Sequence, residues 1–245
     1  MEIFLLTILG FIMGFITSVS GGAGVFAVPT LLAFGIPPIN VLALNRMSDV
    51  GVVFGALRNY WKAKVIKWSL VIKIIPFMAL GSFIGANLIV NLTDKSIKTV
   101  VLIGVIIGMV FLIKPARPFL NEGGTSKFKK MLGFFMLFVV GIWSGAIAMA
   151  GATFAVLVLV YLFGKNYVES RGIDVAAAIP ETLISAGILI SVADVNYTWL
   201  LTMFFSSFVG AFVGSRMAIK RGDSFIKKGM ILIAILMIIK IIFRF

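Results

Sequence analysis

Apolar residues run along this chain in long blocks, separated by short breaks that contain polar residues, glycine or proline. The pattern predicts ten helical segments, at 3–19, 23–34, 41–60, 69–91, 97–114, 131–148, 152–163, 175–193, 198–219 and 225–243. A helix that spans a membrane needs about 20 residues, whereas 23–34 and 152–163 have only about a dozen each. We therefore predict an all-α integral membrane protein in which these two segments are short, broken or re-entrant helices near the bilayer midplane.

The two halves of the chain resemble each other in sequence. VFAV at 25–28 matches TFAV at 153–156, and GSFIGAN at 81–87 matches GAFVGSR at 210–216. The offset between the matches stays near 128–129 residues, which chance would seldom produce. We predict two membrane repeats of about five helical segments each. They occupy 1–114 and 131–245, with a linker at 115–130.

The distribution of basic residues predicts how these repeats are oriented. Lysine and arginine cluster around 58–67, along 114–130 and around 216–228, so the positive-inside rule places these three regions in the cytoplasm. The loops at 35–40 and 193–197 carry no lysine or arginine and are expected outside. Because an odd number of segments precedes the linker, the second repeat is expected to be inverted relative to the first. The N-terminus is then outside, the linker is cytoplasmic, and the plasma (cell inner) membrane is the expected location.

Composition supports a membrane protein and removes several kinds of chemistry. Of 245 residues, 61% are hydrophobic and 13% are charged, against about 45–50% and 25% in soluble domains. The chain has no cysteine and no histidine, which excludes disulfides, thiolate chemistry and histidine-ligated metals or haem. We expect no cofactor and no metal. The net charge of +13 is interpreted as basic helix ends that face anionic lipid rather than as a nucleic-acid surface.

The stretch SVSGGAGVFAVPTLLAFGIPP at 18–38 places a glycine cluster where a membrane helix should continue. Inverted repeats with broken helices bind their substrate near the midplane, where helix ends meet. A helix N-terminus offers free amide groups and a partial positive charge, so two such ends, opening near 21–24 and 151–153, would attract an anion. The alternative is that the small residues only allow tight helix packing. We prefer that alternative for Gly81 with Gly85 and for Gly210 with Gly214, but not for the cluster at 20–24.

Charged residues inside the predicted span 43–57 are the second functional signal. A charge at the centre of a membrane helix costs about 2.5–3.5 kcal/mol, so such residues are functional candidates. Arg46 and Asp49 are spaced to pair on one helix face, and the region around Glu181 is interpreted as the equivalent of Arg46 in the second half. Arg46 is expected either to pair with an anionic substrate or to form a purely structural ion pair with a carboxylate. The candidate substrate-binding residues are Ser18, Ser20, Gly21, Gly22, Gly24, Asn45, Arg46, Ser48, Trp143, Ser144, Gly151, Thr153 and Thr182.

Three motifs of the first half resemble the TauE/SafE family of predicted sulfite and organosulfonate transporters. Members show a glycine-rich turn, then a proline in a short helix, a Gly-x-Pro loop and an alanine-containing stretch. Here these motifs are SGGAGVFAVP at 20–29, FGIPP at 34–38 and LALNRMSDV at 42–50. The Thr-Ser pair that usually follows the alanine is replaced by residues 45–48, and the second half has PET at 180–182. The resemblance implies transport of sulfite, sulfonates such as sulfoacetate, or related sulfur-containing anions.

The leading hypothesis is a secondary transporter that moves a small anion by alternating access, with Asp49 and Glu181 as candidates for carrying a coupled proton. A passive anion channel on the same frame is an alternative. An intramembrane lipid-modifying enzyme is a further one, but the chain lacks histidine and cysteine and has no paired-aspartate motif at a membrane surface. We expect no enzyme activity. The expected partners are the anionic substrate and the lipid bilayer, without nucleic acid, and a homodimer is left open.

Overall fold

The computed structural model is built from α-helices, and the residues that it describes, 2–101, 103 and 126–242, contain no strand. An all-α fold was predicted and is confirmed. The remainder of the predicted segment 97–114 and most of the predicted linker 115–130 lie outside the described residues. The helices are α1 (Glu2–Ser20), α2 (Gly24–Ala33), α3 (Pro38–Lys62), α4 (Trp68–Val90), α5 (94–101), α6 (Lys127–Ile147), α7 (Gly151–Phe163), α8 (Tyr167–Val192) and α9 (Tyr197–Ile242). The non-helical backbone of Gly222, at φ +72°, divides α9 into two helical parts.

Five of the described helices, α1, α4, α6, α8 and α9, are long and apolar enough to cross a bilayer. The two short helices expected from the sequence are present as α2, with 10 residues, and α7, with 13 residues. α3 has 25 residues but contains Asn45, Arg46 and Ser48, which are all buried. Its neighbours therefore shield α3 from lipid, which is how a polar helix is tolerated inside a membrane protein.

α8 begins earlier than the sequence predicted. Its N-cap is Asn166, whose side-chain Oδ1 accepts a hydrogen bond from the amide of Glu169 at 2.7 Å. The predicted start at 175 was wrong because Arg171 and Asp174 interrupt the apolar pattern without interrupting the helix. Both side chains are buried, so the polar residues belong to the interior and not to a loop.

The helices of the two halves pack on one another in a reciprocal way. α1 packs on α9, and α6, the first described helix of the second half, packs on α4. α3 likewise packs on α9, α8 packs on α4, and α3 and α8 contact each other at the centre. The core of the molecule therefore lies between the halves and not within each of them.

Glycines permit the closest of these approaches. A methyl group built on Gly85 would overlap the backbone carbonyl of Ile142 in α6, and one built on Gly210 would overlap that of Phe11 in α1. The packing interpretation of the Gly81–Gly85 and Gly210–Gly214 pairs is confirmed. Small residues let helix backbones approach directly, which van der Waals packing between membrane helices favours.

Candidate functional site

Each half contains one sharp backbone reversal between a long helix and a short one. α1 ends at Ser20 and α2 begins at Gly24, while α6 ends at Ile147 and α7 begins at Gly151. The first turn contains Gly21 and Gly22 at φ +76° and +80°, and the second contains Ala148 and Ala150 at φ +50° and +56°. Both turns therefore contain residues in the left-handed backbone conformation. In the first turn these residues are glycines, and in the second they are alanines.

The two turns lie against each other. The Thr153 hydroxyl donates to the backbone oxygen of Ser20 at 3.1 Å, and Asn45 Nδ2 donates to the backbone oxygen of Ala148 at 2.6 Å. A methyl group built on Gly21 would lie 2.7 Å from the amide nitrogen of Thr153, so the backbones touch there. The segments that the sequence analysis expected to converge are in direct contact.

A small cavity of about 40 Å³ lies beside this contact. About 10–15 Å³ holds one water molecule, so the space accommodates a few waters or a small anion. Seven helices and both turns contribute to its wall. The lining residues are Thr17, Gly22, Gly24, Arg46, Asp49, Val52, Val53, Met78, Ser144, Ala148, Ala150, Gly151, Ala152, Arg171, Asp174, Val175, Ala178, Glu181 and Thr182.

Two arginine–aspartate pairs face this cavity, one from each half of the chain. In α3, Arg46 Nη1 lies 3.5 Å from Asp49 Oδ2, and in α8, Arg171 pairs with Asp174 at the same i, i+3 spacing. Both arginines are 1% exposed. A buried ion pair is stable only when further hydrogen bonds satisfy its remaining donors and acceptors.

Each arginine supplies such bonds by capping the last turn of a helix from the other half. Arg46 Nη2 donates to the backbone oxygen of Ser144 in α6, and Arg171 Nη2 donates to that of Thr17 in α1 at 2.6 Å. The last carbonyls of a helix carry a partial negative charge, so a guanidinium is a favourable partner there. The two arginines therefore fix both broken hairpins to the central helices α3 and α8.

This arrangement corrects the interpretation that Glu181 is the equivalent of Arg46. The equivalent is Arg171, because the motifs RMSD at 46–49 and RGID at 171–174 make the same contacts. Arg46 stands eight residues after the start of α3 and Arg171 four residues after the start of α8. Compared with α3, α8 lacks about one helical turn before its arginine. The offset between equivalent residues of the two halves therefore falls here from 128–129 to 125 residues. The duplicated Arg-x-x-Asp pattern was the signal that could have identified Arg171 and Asp174.

Glu181 adds a third carboxylate to the cavity. Its Oε1 lies 3.7 Å from Arg46 Nη1, and its side chain is 3% exposed. The described lining thus contains two guanidinium groups, Arg46 and Arg171, against three carboxyl groups, Asp49, Asp174 and Glu181. Among the described residues, Arg46 Nε, Asp174 Oδ1 and Glu181 Oε2 are buried without a hydrogen-bond partner.

The N-terminal ends of α2 and α7 border the same space. Gly22 and Gly24 line it from the first turn, and Gly151 and Ala152 line it from the second. The first amides of a helix have no acceptor within that helix, and they carry the positive end of its dipole. The cavity therefore combines fixed amide dipoles with one guanidinium nitrogen that has no partner, which suits a small anion.

Eight of the residues named from the sequence line the cavity, and they are Gly22, Gly24, Arg46, Asp49, Ser144, Gly151, Glu181 and Thr182. Seven do not, and they are Ser18, Ser20, Gly21, Asn45, Ser48, Trp143 and Thr153. Trp143, expected in the cavity wall, instead donates from Nε1 to the backbone oxygen of Met149 at 2.8 Å and packs edge-on against Phe154. Ser20, Asn45 and Thr153 hold the two turns together, so they support the site from outside it.

Comparison with known proteins gives a consistent set of relatives. The family model described as sulfite exporter TauE/SafE matches residues 6–241. The chain is 28% identical over 237 residues to the probable membrane transporter protein YfcA of Escherichia coli strain K12, covering 94% of this chain and 86% of the relative. It is 24% identical to the probable membrane transporter protein ORF9 of a Sinorhizobium species, over 97% of this chain and 91% of the relative. It is 23% identical to the probable membrane transporter protein YjnA of Bacillus subtilis strain 168, over 86% of this chain and 88% of the relative. No solved structure matches the chain.

Proposed function

Because this chain belongs to the sulfite exporter TauE/SafE family and is a multi-pass membrane transporter, we propose that it is a secondary transporter of a small sulfur-containing anion. The substrate class is sulfite, a sulfonate or a sulfoacetate-like anion. The transporter works by alternating access in the plasma (cell inner) membrane. Its substrate site is the cavity between the two broken hairpins.

The observation that carries this proposal is that Arg46, whose buried Nε has no hydrogen-bond partner, lines a cavity bounded by two helix N-termini. A buried donor without a partner costs about 1–3 kcal/mol, and a bound anion recovers this energy. Each helix end adds on the order of 0.3–1 kcal/mol, or up to about 2 in a partly buried site. The sum is enough for selective binding and small enough for release.

The packing of the halves supports alternating access. Each half contributes one turn, one helix N-terminus and one arginine–aspartate pair to the same cavity. The reciprocal contacts of α1 with α9 and of α6 with α4 are what two inverted repeats around a common axis would produce. In such transporters one repeat rocks against the other around a fixed site.

The cavity also bears on the size of the substrate. At about 40 Å³ it suits a small tetrahedral or pyramidal anion, with the apolar residues Val52, Val53 and Met78 on one side. The carboxyl groups of Asp49 and Glu181 are the candidates for carrying a coupled proton, since the chain has no histidine.

The test is a thermal-shift screen of the purified protein against sulfite, sulfate, thiosulfate, taurine, sulfoacetate and carboxylate controls. A ligand that binds only the folded state raises the melting temperature by mass action. We expect a concentration-dependent rise with at least one sulfur-containing anion. If no sulfur-containing anion gives a rise and a carboxylate does, the proposed substrate class is wrong.

The same anion then separates a carrier from a passive channel. In liposomes, substrate on the trans side accelerates tracer uptake by a carrier, but it has no such effect on a channel. We expect accelerated counterflow. Tracer uptake that is indifferent to trans substrate would establish the channel instead.

A further inference from the structure

Among the described residues that line the cavity, Glu181 is the one charged residue without an equivalent in the other half. Arg46 and Asp49 in α3 match Arg171 and Asp174 in α8, at an offset of 125 residues. At the same offset Glu181 corresponds to Ala56. Within each arginine–aspartate pair the two charges cancel. The remaining charge of the described lining is therefore the negative charge of Glu181.

The surroundings of Glu181 offer its carboxylate one cation within ion-pair distance. Arg46 Nη1 lies 3.7 Å from Glu181 Oε1 and 3.5 Å from Asp49 Oδ2. The other charged lining groups are Arg171 and Asp174, which pair with each other. Two carboxylates therefore share the guanidinium of Arg46.

The remaining helices around Glu181 bring no further ionisable group to the described cavity wall. α4 contributes Met78 to the wall, and its Ser82 hydroxyl donates to the backbone oxygen of Glu181 at 2.9 Å. α6 contributes the hydroxyl of Ser144, and α1 contributes Thr17. The Ser144 hydroxyl hydrogen-bonds the Glu181 side chain, but none of these groups carries a positive charge to balance a second negative one.

An anion that enters the cavity competes with Glu181 for Arg46. The unpartnered Nε belongs to the same guanidinium that already faces two carboxylates. Three negative groups around one cation in a low-dielectric interior repel one another strongly. Asp49 is held at Arg46 by its position one turn along α3, whereas Glu181 reaches it from another helix. Glu181 is therefore the group that has to lose its charge.

We propose that Glu181 carries the coupled proton, in a ratio of one proton to one anion; this rests on the proposed function. In the empty transporter, the ionised Glu181 pairs with Arg46. When an anion binds, Glu181 takes up a proton from the side that supplied the anion and becomes a neutral carboxylic acid. On the opposite side the anion leaves, the proton dissociates, and the Arg46–Glu181 pair forms again.

The first experiment compares Glu181→Gln with the wild type in proteoliposomes, with Asp94→Asn as the matched control. Glutamine has the shape of the protonated acid but cannot release a proton. Asp94 is an exposed carboxylate outside the cavity. With radiolabelled methanesulfonate or thiosulfate, we expect all three proteins to show counterflow. Wild type and Asp94→Asn accumulate the anion when a pH gradient is imposed, and Glu181→Gln does not. Gradient-driven accumulation by Glu181→Gln would overturn the proposal.

The second experiment uses only the wild type, so it does not depend on the variant folding. Methanesulfonate stays ionised at neutral pH, so protons that disappear from a weakly buffered solution on binding are taken up by the protein. We expect one proton per bound anion, and an affinity that falls about tenfold per pH unit once Glu181 is ionised in the empty protein. Binding without proton uptake would overturn this inference and leave the proposed function standing. Absence of binding and of counterflow for both anions would instead contradict the proposed function.

Discussion

At the scale of single residues, the two arginines of the cavity occupy equivalent places but differ in how many of their guanidinium nitrogens have a hydrogen-bond partner. Each side-chain nitrogen of Arg171 has a protein partner. Nε donates to the backbone oxygen of Ser18 at 3.4 Å, Nη2 donates to that of Thr17, and Nη1 pairs with Asp174. Arg46 keeps its Nε without a partner. Arg171 is thus fully engaged in structural contacts, whereas Arg46 combines structural contacts with one nitrogen that has no partner. The substrate contact of Arg46 stays a prediction.

This difference predicts separable effects of Arg46→Gln and Arg171→Gln. Removing one partner of a buried ion pair costs about 3–5 kcal/mol, so Arg171→Gln should mainly lower the melting temperature. Arg46→Gln should lower anion affinity by more than tenfold, beyond what its loss of stability explains. Thermal unfolding and anion titration of both purified variants measure the two quantities.

Asp174→Asn in the Arg171→Gln background is the control, because it removes the carboxylate left unpaired and should restore part of the stability. If Arg46→Gln loses as much stability as Arg171→Gln while its anion affinity is unchanged, Arg46 is a structural residue only.

At the scale of elements, the site depends on two helices that stop inside the molecule. α2 and α7 are too short to span a bilayer, and their first amides reach the cavity. Helices commonly end with a residue in the left-handed conformation, and both three-residue turns here contain two such residues. Gly22, at φ +80°, combines this backbone requirement with a place in the cavity wall.

Gly22→Val is expected to abolish transport, because its side chain would enter the cavity and force the amides of the first turn apart. A β-branched residue at positive φ also strains the backbone. Gly35→Val separates the two effects: Gly35 has φ +77°, but a methyl group there would meet nothing within 4 Å. We expect counterflow to disappear in Gly22→Val and to persist in Gly35→Val. Normal flux in Gly22→Val would exclude an amide-lined substrate site.

Close helix packing gives a second prediction at this scale. Gly85→Ala would press a methyl group into the backbone of Ile142 in α6, and overpacking of this kind costs about 1–3 kcal/mol. Gly187→Ala in α8 meets no atom within 4 Å, so it should gain about 0.5–1 kcal/mol of helix propensity. Melting temperatures in detergent should therefore move in opposite directions. A fall of equal size in both variants would indicate that contact with α6 is not what requires glycine at position 85.

At the scale of the whole molecule, the central helices are tied to the loops on two opposite sides. Lys67 Nζ lies 3.3 Å from Glu169 Oε1 at the start of α8, and Asn40 Nδ2 at the start of α3 donates to the backbone oxygen of Asp194 at 2.6 Å. The charge distribution of the sequence predicts that the first contact is cytoplasmic and the second is external. Under the proposed alternating access, we expect a requirement that each contact opens in turn.

Cross-linking tests this requirement directly, since the chain has no cysteine of its own. We expect a short thiol cross-linker to arrest counterflow in both the Lys67→Cys/Glu169→Cys and the Asn40→Cys/Asp194→Cys variants. Reduction of the linker should restore transport in both. Single-cysteine variants treated in the same way control for the reagent. Undiminished counterflow in either cross-linked variant would show that the contact does not have to open.

The sequence by itself determined the class of the molecule and the location of its turns. Hydropathy over about 20 residues predicts a membrane helix, because burying apolar surface is a local and additive property. The same reasoning identified two segments too short to span, the small-residue turns before them, and Arg46, Asp49 and Glu181 as charges inside the membrane. The inverted arrangement of the repeats follows from charge distribution and loop parity, and it stays a prediction.

Only the tertiary structure decided which side chains share the cavity. Arg171 and Asp174 were missed because the predicted segment started at 175, after both residues, whereas α8 begins at Tyr167. Trp143, Asn45 and Thr153, which were predicted to bind substrate, do not line the cavity and make contacts that hold the turns in place. The cavity wall is assembled from seven helices of both halves. Hydropathy contains no information about the angle at which two helices meet. That angle is set by the packing of side chains between the halves, which exists only in the folded protein.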